Sequence, residues 1–428
     1  MSPRFGTVAY GLRHLRRAPD LAALRAARSP EELARLAIIP AARNLGISAA
    51  FLPAHLRSEV TAALLACRVL DAHEDLADRP SARGAVQAAV AYLNGEIDTP
   101  PPPPPALTVR DSEAVDLALA ERIHDVRALL SALPLDGRQR VGQMLMDVAN
   151  VMAHNLDSPL PRTVYGRGVL GRVVLYVCRL LAEDACDETD PSELAECLGV
   201  IAQLANDLRD REMALYGVGD RVELTRAVTV RLLAPAIGGF ALLSQLGTRT
   251  PTWGARTAMA YMVVTTTAFL CTAVGASAAY PRQLRLGAAM LAACSSGRWT
   301  TMMNRVRRSV DAAIREVLDG SPALLADPRL VAKSEGAQDD PAYGTPRPMS
   351  PWLAPLIVDT TFDLVERLPD DPLTGDLPVA QVRRMMFADH LAFGAVEWLR
   401  PRDAAGLAAL ATQFQRAAVD TATQGART

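Results

Sequence analysis

The feature that most constrains the fold is the recurrence of apolar residues at spacings of three and four along most of the chain. This spacing places apolar side chains on one face of an α-helix. Alternation with a period of two, which indicates strands, is not sustained anywhere. The pattern predicts an all-α protein with helices at Leu21–Ile38, Leu56–Leu76, Ala114–Leu133, Arg138–Val151, Glu193–Leu215, Thr225–Leu246, Leu284–Val317, Ala354–Arg367, Val379–Leu399 and Ala404–Ala418.

Interruptions of this pattern divide the 428-residue chain. The consecutive prolines Pro100–Pro105 cannot be helical and predict an extended crossing. A stretch rich in Asp, Gly and Pro after residue 318 predicts a long loop. We therefore expect an N-terminal segment at 1–34, a main helical bundle at 35–318, a linker at 319–350 and a helical C-terminal extension at 351–428.

Composition excludes several classes of protein. The net charge of −2 and the aromatic content of 5% provide neither the basic field nor the stacking surfaces of a nucleic-acid-binding protein. Lys333 is the only lysine, so Schiff-base and P-loop chemistry are excluded everywhere else. The cysteines form no CxxC pair and indicate free thiols in a reducing compartment. With no apolar signal segment in Met1–Asp20, the sequence predicts a cytoplasmic protein.

One apolar stretch raises the question of a membrane span. Ala258–Tyr280 carries no charge and is long enough to cross a bilayer. Its several Thr residues and the lack of flanking anchors favour a helix that lines or packs the core of a large bundle. We expect no integral membrane span, while peripheral membrane contact is compatible with the sequence.

The first acidic cluster lies on a strongly helical segment. Asp71 and Asp75 are four residues apart and share one face, and Glu74 and Asp78 continue that acidic side. Like charges at this spacing destabilise a helix by roughly a few tenths of a kcal/mol, which favours a compensating ligand. Mg²⁺ takes carboxylates together with substrate phosphates and neutralises a departing diphosphate. A solvated acidic face is the competing interpretation. His73 points away from this face, so a zinc site is not expected.

A second polar cluster lies near the end of another predicted helix. Gln203, Asn206 and Asp210 share a face. An Asn and an Asp four residues apart suit Mg²⁺, and Arg209 suits a diphosphate because a guanidinium binds phosphate oxygens in pairs. An exposed helix with surface salt bridges would explain the same residues.

Between these clusters, the segment Tyr165-Gly-Arg-Gly-Val-Leu-Gly171 combines a tyrosine with three glycines. Glycine inside a helix costs roughly 1 kcal/mol relative to alanine. A helix that carries several glycines therefore requires a kink or a close neighbour. A ligand cavity and tight helix–helix packing are the two explanations.

In this order and spacing, the segments resemble the squalene/phytoene synthase family of the trans-isoprenyl diphosphate synthase superfamily. The resemblance covers about Ile38 to Tyr216 and fades towards Leu318. The matching segments are Leu52-Pro53 with the helix into Cys67-Arg68-Val-Leu-Asp71, the aspartate-rich Asp71-Ala-His-Glu-Asp75, the glycine-containing Tyr165–Gly171, and the second motif Gln203–Asp210.

The resemblance implies a class I isoprenoid/terpenoid synthase helical bundle with a central apolar cavity and Mg²⁺ at its mouth. It also implies three sets of site residues. The implied metal ligands are Asp71, Asp75, Asn206 and Asp210. The implied diphosphate-binding residues are Arg68, Arg209 and Gln203. The implied catalytic residues are Tyr165, Asp71 and Asp75, with Tyr165 stabilising a carbocation or assisting diphosphate departure.

Departures from the family pattern shape the expected reaction. The second motif of the family has a further Asp where this chain has Ala214, and a family tyrosine is replaced by Leu64. Because those positions help the family ionise two diphosphates in succession, we expect ionisation of one allylic prenyl diphosphate and transfer to a small apolar or aromatic acceptor. Carbazole-type prenylation in bacterial specialised metabolism is such a reaction. Head-to-head condensation of two prenyl diphosphates and class I terpene cyclisation are the alternatives, and a non-catalytic scaffold is disfavoured.

Overall fold

The computed structural model describes residues 17–105, 113–160, 162–182, 191–216, 218–225 and 250–319, with isolated positions among residues 8–15 and 228–249. The described residues are mostly helical and include no strand, which confirms the all-α class. In these ranges, every helix is too short or too polar to cross a membrane. The predicted C-terminal extension, the linker after Asp319 and most of the predicted helix Thr225–Leu246 lie outside the described residues.

The described helices fall into an N-terminal and a C-terminal group. The N-terminal group comprises α1 (Leu21–Arg25), α2 (Pro30–Ala42), α3 (Asn44–Ala49), α4 (Ala54–Asp75), α5 (Arg79–Asn94), α6 (Ala114–Glu121), α7 (Ile123–Ser131) and α8 (Leu135–Asp157). The C-terminal group comprises α9 (Arg162–Gly168), α10 (Leu170–Leu181), α11 (Ser192–Asp210), α12 (Met213–Tyr216), α13 (Trp253–Ala273), a 3₁₀ turn (Arg282–Leu284), α14 (Arg285–Ala292) and α15 (Ser296–Asp319).

Several helices predicted as continuous are divided. The predicted helix Leu21–Ile38 ends at Arg25 and restarts at Pro30, because the Ser29 hydroxyl accepts the Glu32 N–H at 3.2 Å and caps α2. The predicted helix Ala114–Leu133 is divided at Arg122, whose guanidinium donates to the carbonyl oxygens of Leu24, Arg25 and Ala27.

Two further predicted helices are also divided. Helix α11 ends at Asp210 rather than continuing to Leu215, because Arg211 adopts a left-handed conformation with φ of 60°. The predicted helix Leu284–Val317 is divided between α14 and α15. In contrast, α13 confirms that the uncharged stretch Ala258–Tyr280 begins as a helix of the bundle.

The apolar faces of the helices form two clusters of buried side chains. The first joins α2 and α4–α8 and contains the fully buried Leu65, Leu119 and Leu145. The second joins α10, α11 and α13–α15 around Trp299, whose indole N–H donates to the Leu243 carbonyl at 3.1 Å. Helices α4 and α10 contribute to both clusters. They therefore fix the first acidic segment relative to the second cluster.

The glycines of the Tyr165–Gly171 segment are explained by helix packing. A Cβ on Gly166 would lie 2.7 Å from Gln203 Cβ, so α9 packs closely on α11. A Cβ on Gly199 would lie 2.1 Å from the Gly171 backbone nitrogen, so α10 also crosses α11 at backbone contact. Tight packing, rather than a ligand, accounts for Gly166 and Gly171. It places Tyr165 beside the second motif.

Candidate active site

A cavity of about 640 Å³ lies within the second apolar cluster. This volume falls in the usual range of small-molecule sites, about 300–1,000 Å³. Its described wall is dominated by Leu, Val, Ala, Met and Phe side chains of α10, α11 and α13. The charged residues in that described wall are Arg43 and Arg209, accompanied by Asn44 and Asn206. The cavity is therefore amphiphilic, with an apolar body and a cationic, amide-lined region.

Arg43 lies at the junction of α2 and α3 and was not predicted from the sequence. Its φ of 48° is rare for a residue other than glycine, and such strain is typical of functional positions. Burial lowers the pKa of Arg43, and the positive charges of Arg209 and Arg68 lower it further, whereas Asp210 and Asp116 raise it. Guanidinium groups from three parts of the fold thus lie close enough to interact, which favours an anionic ligand.

Arg68 is held by two carboxylates. It donates to Asp71 Oδ2 at 2.6 Å and to Asp116 Oδ1 at 2.7 Å, with a second donation to Asp116 Oδ2. Burial raises the pKa of Asp71, and it raises the pKa of Asp116 to about 6. The structure therefore places the predicted diphosphate ligand Arg68 in an ion-paired cluster. Asp116 was missed by the sequence analysis, although an Asp within the apolar α6 is a recognisable signal.

The end of α4 places two carboxylates in different surroundings. Glu74 is buried and accepts the Tyr165 hydroxyl at 2.6 Å and the Asn155 amide at 3.3 Å. Burial is the main reason that the pKa of Glu74 rises to about 7. Burial and the negative charge of Glu74 also keep the pKa of Tyr165 well above its usual range, so the hydroxyl remains a donor. Tyr165 is thus engaged with Glu74 rather than part of the described cavity wall.

Asp75 is the solvent-exposed carboxylate at the end of α4. The residue is exposed to solvent and makes no hydrogen bond or ion pair with any described residue. Its pKa nevertheless lies well above the usual range, first because the surrounding protein limits hydration and then because Glu74 and Asp71 are close. Asp75 is therefore an exposed carboxylate without a described partner, close to two other carboxylates. Such a carboxylate is available to a cation.

The buried carboxylate of the second motif is Asp207. Arg162 donates to it through Nε at 2.9 Å and Nη2 at 2.6 Å, Gln203 through Nε2 at 2.8 Å, and the Tyr216 hydroxyl at 2.6 Å. The same Arg162 guanidinium lies 4.7 Å from the Tyr165 ring centroid. The predicted diphosphate ligand Gln203 therefore belongs to a buried network that joins α9, α11 and α12.

The remaining residues of the second motif face the cavity or its surroundings. Arg209 donates to Asp210 at 3.0 and 2.6 Å, with both side chains partly exposed. The Asn206 amide lines the cavity and makes no hydrogen bond with the described residues. Of the four predicted metal ligands, Asp75 and Asn206 are thus unpartnered in the described part of the chain. Asp71 and Asp210 accept hydrogen bonds from arginines.

Across the described ranges, no group of three or more His, Cys, Asp or Glu side chains is assembled as a metal site. Mg²⁺ therefore stays a prediction, supported by oxygen donors of the type that this ion takes. No protein-family model matches the chain, and neither does any curated protein sequence. Residues and geometry alone therefore carry the functional inference.

Proposed function

We propose that the protein is a Mg²⁺-dependent prenyltransferase that ionises an allylic prenyl diphosphate and transfers the prenyl group to a small apolar or aromatic acceptor. The observation that carries this proposal is the amphiphilic cavity of about 640 Å³. A prenyl diphosphate has the same division, with an apolar chain and an anionic head. Arg43 and Arg209 are the charged residues of the described wall, and guanidinium groups bind phosphate oxygens in pairs.

The metal would be held by Asp71, Asp75 and Asn206. Crowded carboxylates with raised pKa values are stabilised by a nearby cation, and Asp75 and Asn206 have no competing partner among the described residues. Mg²⁺ would neutralise the charge that develops on the departing diphosphate. Asp210 would join the ligands only after releasing Arg209, because both of its oxygens accept from that guanidinium.

The protein contributes position and exclusion of water. Arg43 and Arg209 hold the diphosphate at one end of the cavity, which leaves the reacting carbon facing the apolar space. The Leu, Val and Phe side chains of the wall exclude water that would otherwise capture the allylic cation. The network of Tyr165 on Glu74 and of Arg162 on Asp207 fixes α4 and α11 around α9.

Transfer to an acceptor that carries no diphosphate is favoured by the position of Ala214. This residue lies on α12, beyond the break of α11 at Arg211, and supplies no metal ligand. The second motif therefore offers Asn206 and Asp210 without a further carboxylate. A site with one complete metal-binding helix and one depleted helix suits a single ionisation.

The proposal is tested by diphosphate release with Mg²⁺. Replacing Asp75 with alanine should lower the release rate by about 10²–10³-fold, as expected for losing a group that stabilises developing charge. The matched control is Asp78→Ala, because Asp78 is exposed and makes no side-chain cap on α5. Equal rates in the two variants would exclude Asp75 as a ligand.

Binding is tested separately with a thiolodiphosphate analogue that does not ionise. Arg43→Gln should weaken binding by about tenfold or more, the scale of one charge-assisted hydrogen-bond pair. Arg35→Gln, at an exposed arginine with a long contact to Glu32, should leave binding unchanged. Unchanged binding in Arg43→Gln would remove the cationic end of the cavity from the site.

A further inference from the structure

The charges of the chain are distributed very unevenly. No Asp or Glu occurs between Glu223 and Asp311, whereas ten arginines lie in that stretch. The chain as a whole has a net charge of −2, so this segment is positively charged while the rest of the chain is negatively charged. In the described part it forms α13, the 3₁₀ turn, α14 and most of α15. A local cationic field of this kind attracts anionic partners.

The outer faces of α14 and α15 carry this charge beside apolar side chains. Both helices pack on α13 and on each other, so their solvent-facing sides adjoin. Leu284 of the 3₁₀ turn is 59% exposed to solvent, and Leu291 of α14 is 55% exposed. The two leucines are seven residues apart, about two helical turns, and therefore lie on the same side of this segment. Helix α15 exposes Arg298, Arg305 and Arg308. We call these five residues the α14–α15 face.

The α14–α15 face has the composition of an interfacial surface. Exposed leucines and arginines, on a segment with no acidic residue in sequence between Glu223 and Asp311, suit insertion at the boundary of lipid headgroups and acyl chains. A protein partner would be expected to meet exposed aromatic anchors, but Trp299 of α15 is fully buried and the partly buried Tyr280 ring is covered by the Arg305 guanidinium at 4.6 Å. Nucleic acid would leave the two leucines without a favourable contact.

We propose that the α14–α15 face docks on an anionic lipid surface. Each arginine at such a surface strengthens binding by attraction to acidic headgroups, and the leucines add burial of apolar area. The docking does not depend on the proposed prenyl transfer, because it is a property of exposed residues outside the cavity.

Docking on this face would bring the lipid bilayer close to the cavity. Val310 and Ala313 of α15 line the cavity, so this helix both forms part of the cavity wall and carries the arginines of the docking face. A helix with its side chains is about 10 Å across. An apolar ligand that partitions into the bilayer is thereby concentrated within about one helix diameter of the cavity.

The test is sedimentation of the full chain with unilamellar vesicles, made either of phosphatidylcholine alone or of equal parts phosphatidylcholine and phosphatidylglycerol. We expect binding to the anionic vesicles that weakens in high salt. Arg298→Gln with Arg308→Gln should weaken binding by about 25-fold, from roughly fivefold for each arginine. Leu284→Ser with Leu291→Ser should also reduce it.

Matched controls remove the same groups elsewhere. Arg35→Gln with Arg138→Gln removes two exposed arginines from α2 and α8, and Leu135→Ser removes a leucine that is 60% exposed. These variants should bind as the wild-type chain does. The proposal is overturned if the full chain does not bind the anionic vesicles, or if the control variants lose as much binding as the variants of the α14–α15 face. Arginine-dependent binding to a DNA duplex without vesicle binding would also overturn it and assign the face to nucleic acid.

Discussion

Replacing Asp207 with alanine is expected to destabilise the fold by about 3–5 kcal/mol, the usual cost of removing one partner of a buried ion pair. Asp207 is 2% exposed and accepts hydrogen bonds from Arg162, Gln203 and Tyr216. The substitution leaves the Arg162 guanidinium, whose side chain is only 15% exposed, without its counter-charge. Packing between α9, α11 and α12 should loosen as a result.

Asp210 provides the matched comparison on the same helix. Its side chain is 28% exposed and pairs with Arg209, which is 37% exposed, so Asp210→Ala should cost only about 0–1 kcal/mol. The two free energies are measured by urea unfolding followed by circular dichroism. Replacing Asp207 and Arg162 together by leucine should recover part of the lost stability, because no unpaired charge remains, although Gln203 and Tyr216 still lose their acceptor. If Asp207→Ala costs no more than Asp210→Ala, the ion pair does not stabilise the fold.

Three further predictions concern pH, packing and strain. The folded-state pKa of Glu74, about 7, exceeds the ordinary 4.5, so the unfolded chain releases its proton first and metal-free stability should fall from about pH 4.5 to 7. The raised pKa values of Asp71, Asp75 and Asp116 add to this fall, so unfolding titrations of Glu74→Gln should lack the Glu74 contribution alone, and an unchanged profile would contradict the assignment. Gly199→Ala should destabilise the fold by about 1–3 kcal/mol or more, because its Cβ would meet the Gly171 backbone. The control Gly287→Ala has open space around it, so it should be neutral or stabilising in the same unfolding assay. Arg43→Gly should raise the melting temperature by relieving a positive φ yet weaken binding of the thiolodiphosphate analogue, and a lowered melting temperature would show that the side chain is structural.

Apolar spacing was sufficient to predict some of the long helices. Helices α4 and α11 lie within two residues of their predicted starts, because each has a continuous apolar face. The division at Arg122 could not be predicted, since it depends on carbonyl groups of the α1 region almost a hundred residues earlier in the chain. Helix α5 (Arg79–Asn94) was not predicted from its pattern.

The sequence likewise could not predict those features of the site that depend on contacts between distant residues. Spacing placed Gln203 and Asp210 on one face, but which carboxylate of α11 is buried depends on Arg162 and Tyr216, which reach Asp207 from other elements. Arg43 carries no sequence signal, because a positive φ at a residue other than glycine is imposed by the packing around it. The engagement of Tyr165 with Glu74 likewise joins residues 91 positions apart.

The most direct test of prenyl diphosphate ionisation is to incubate the full chain with a series of five- to twenty-carbon allylic diphosphates, with Mg²⁺ or with a chelator, and to measure diphosphate release while identifying products by mass spectrometry. We expect Mg²⁺-dependent release when aromatic acceptors are supplied, with a prenylated acceptor as product. A thirty- or forty-carbon hydrocarbon formed without an acceptor would establish head-to-head condensation, and a cyclic hydrocarbon would establish a cyclase. No diphosphate release from any donor, with or without Mg²⁺ and acceptors, would contradict the proposed function.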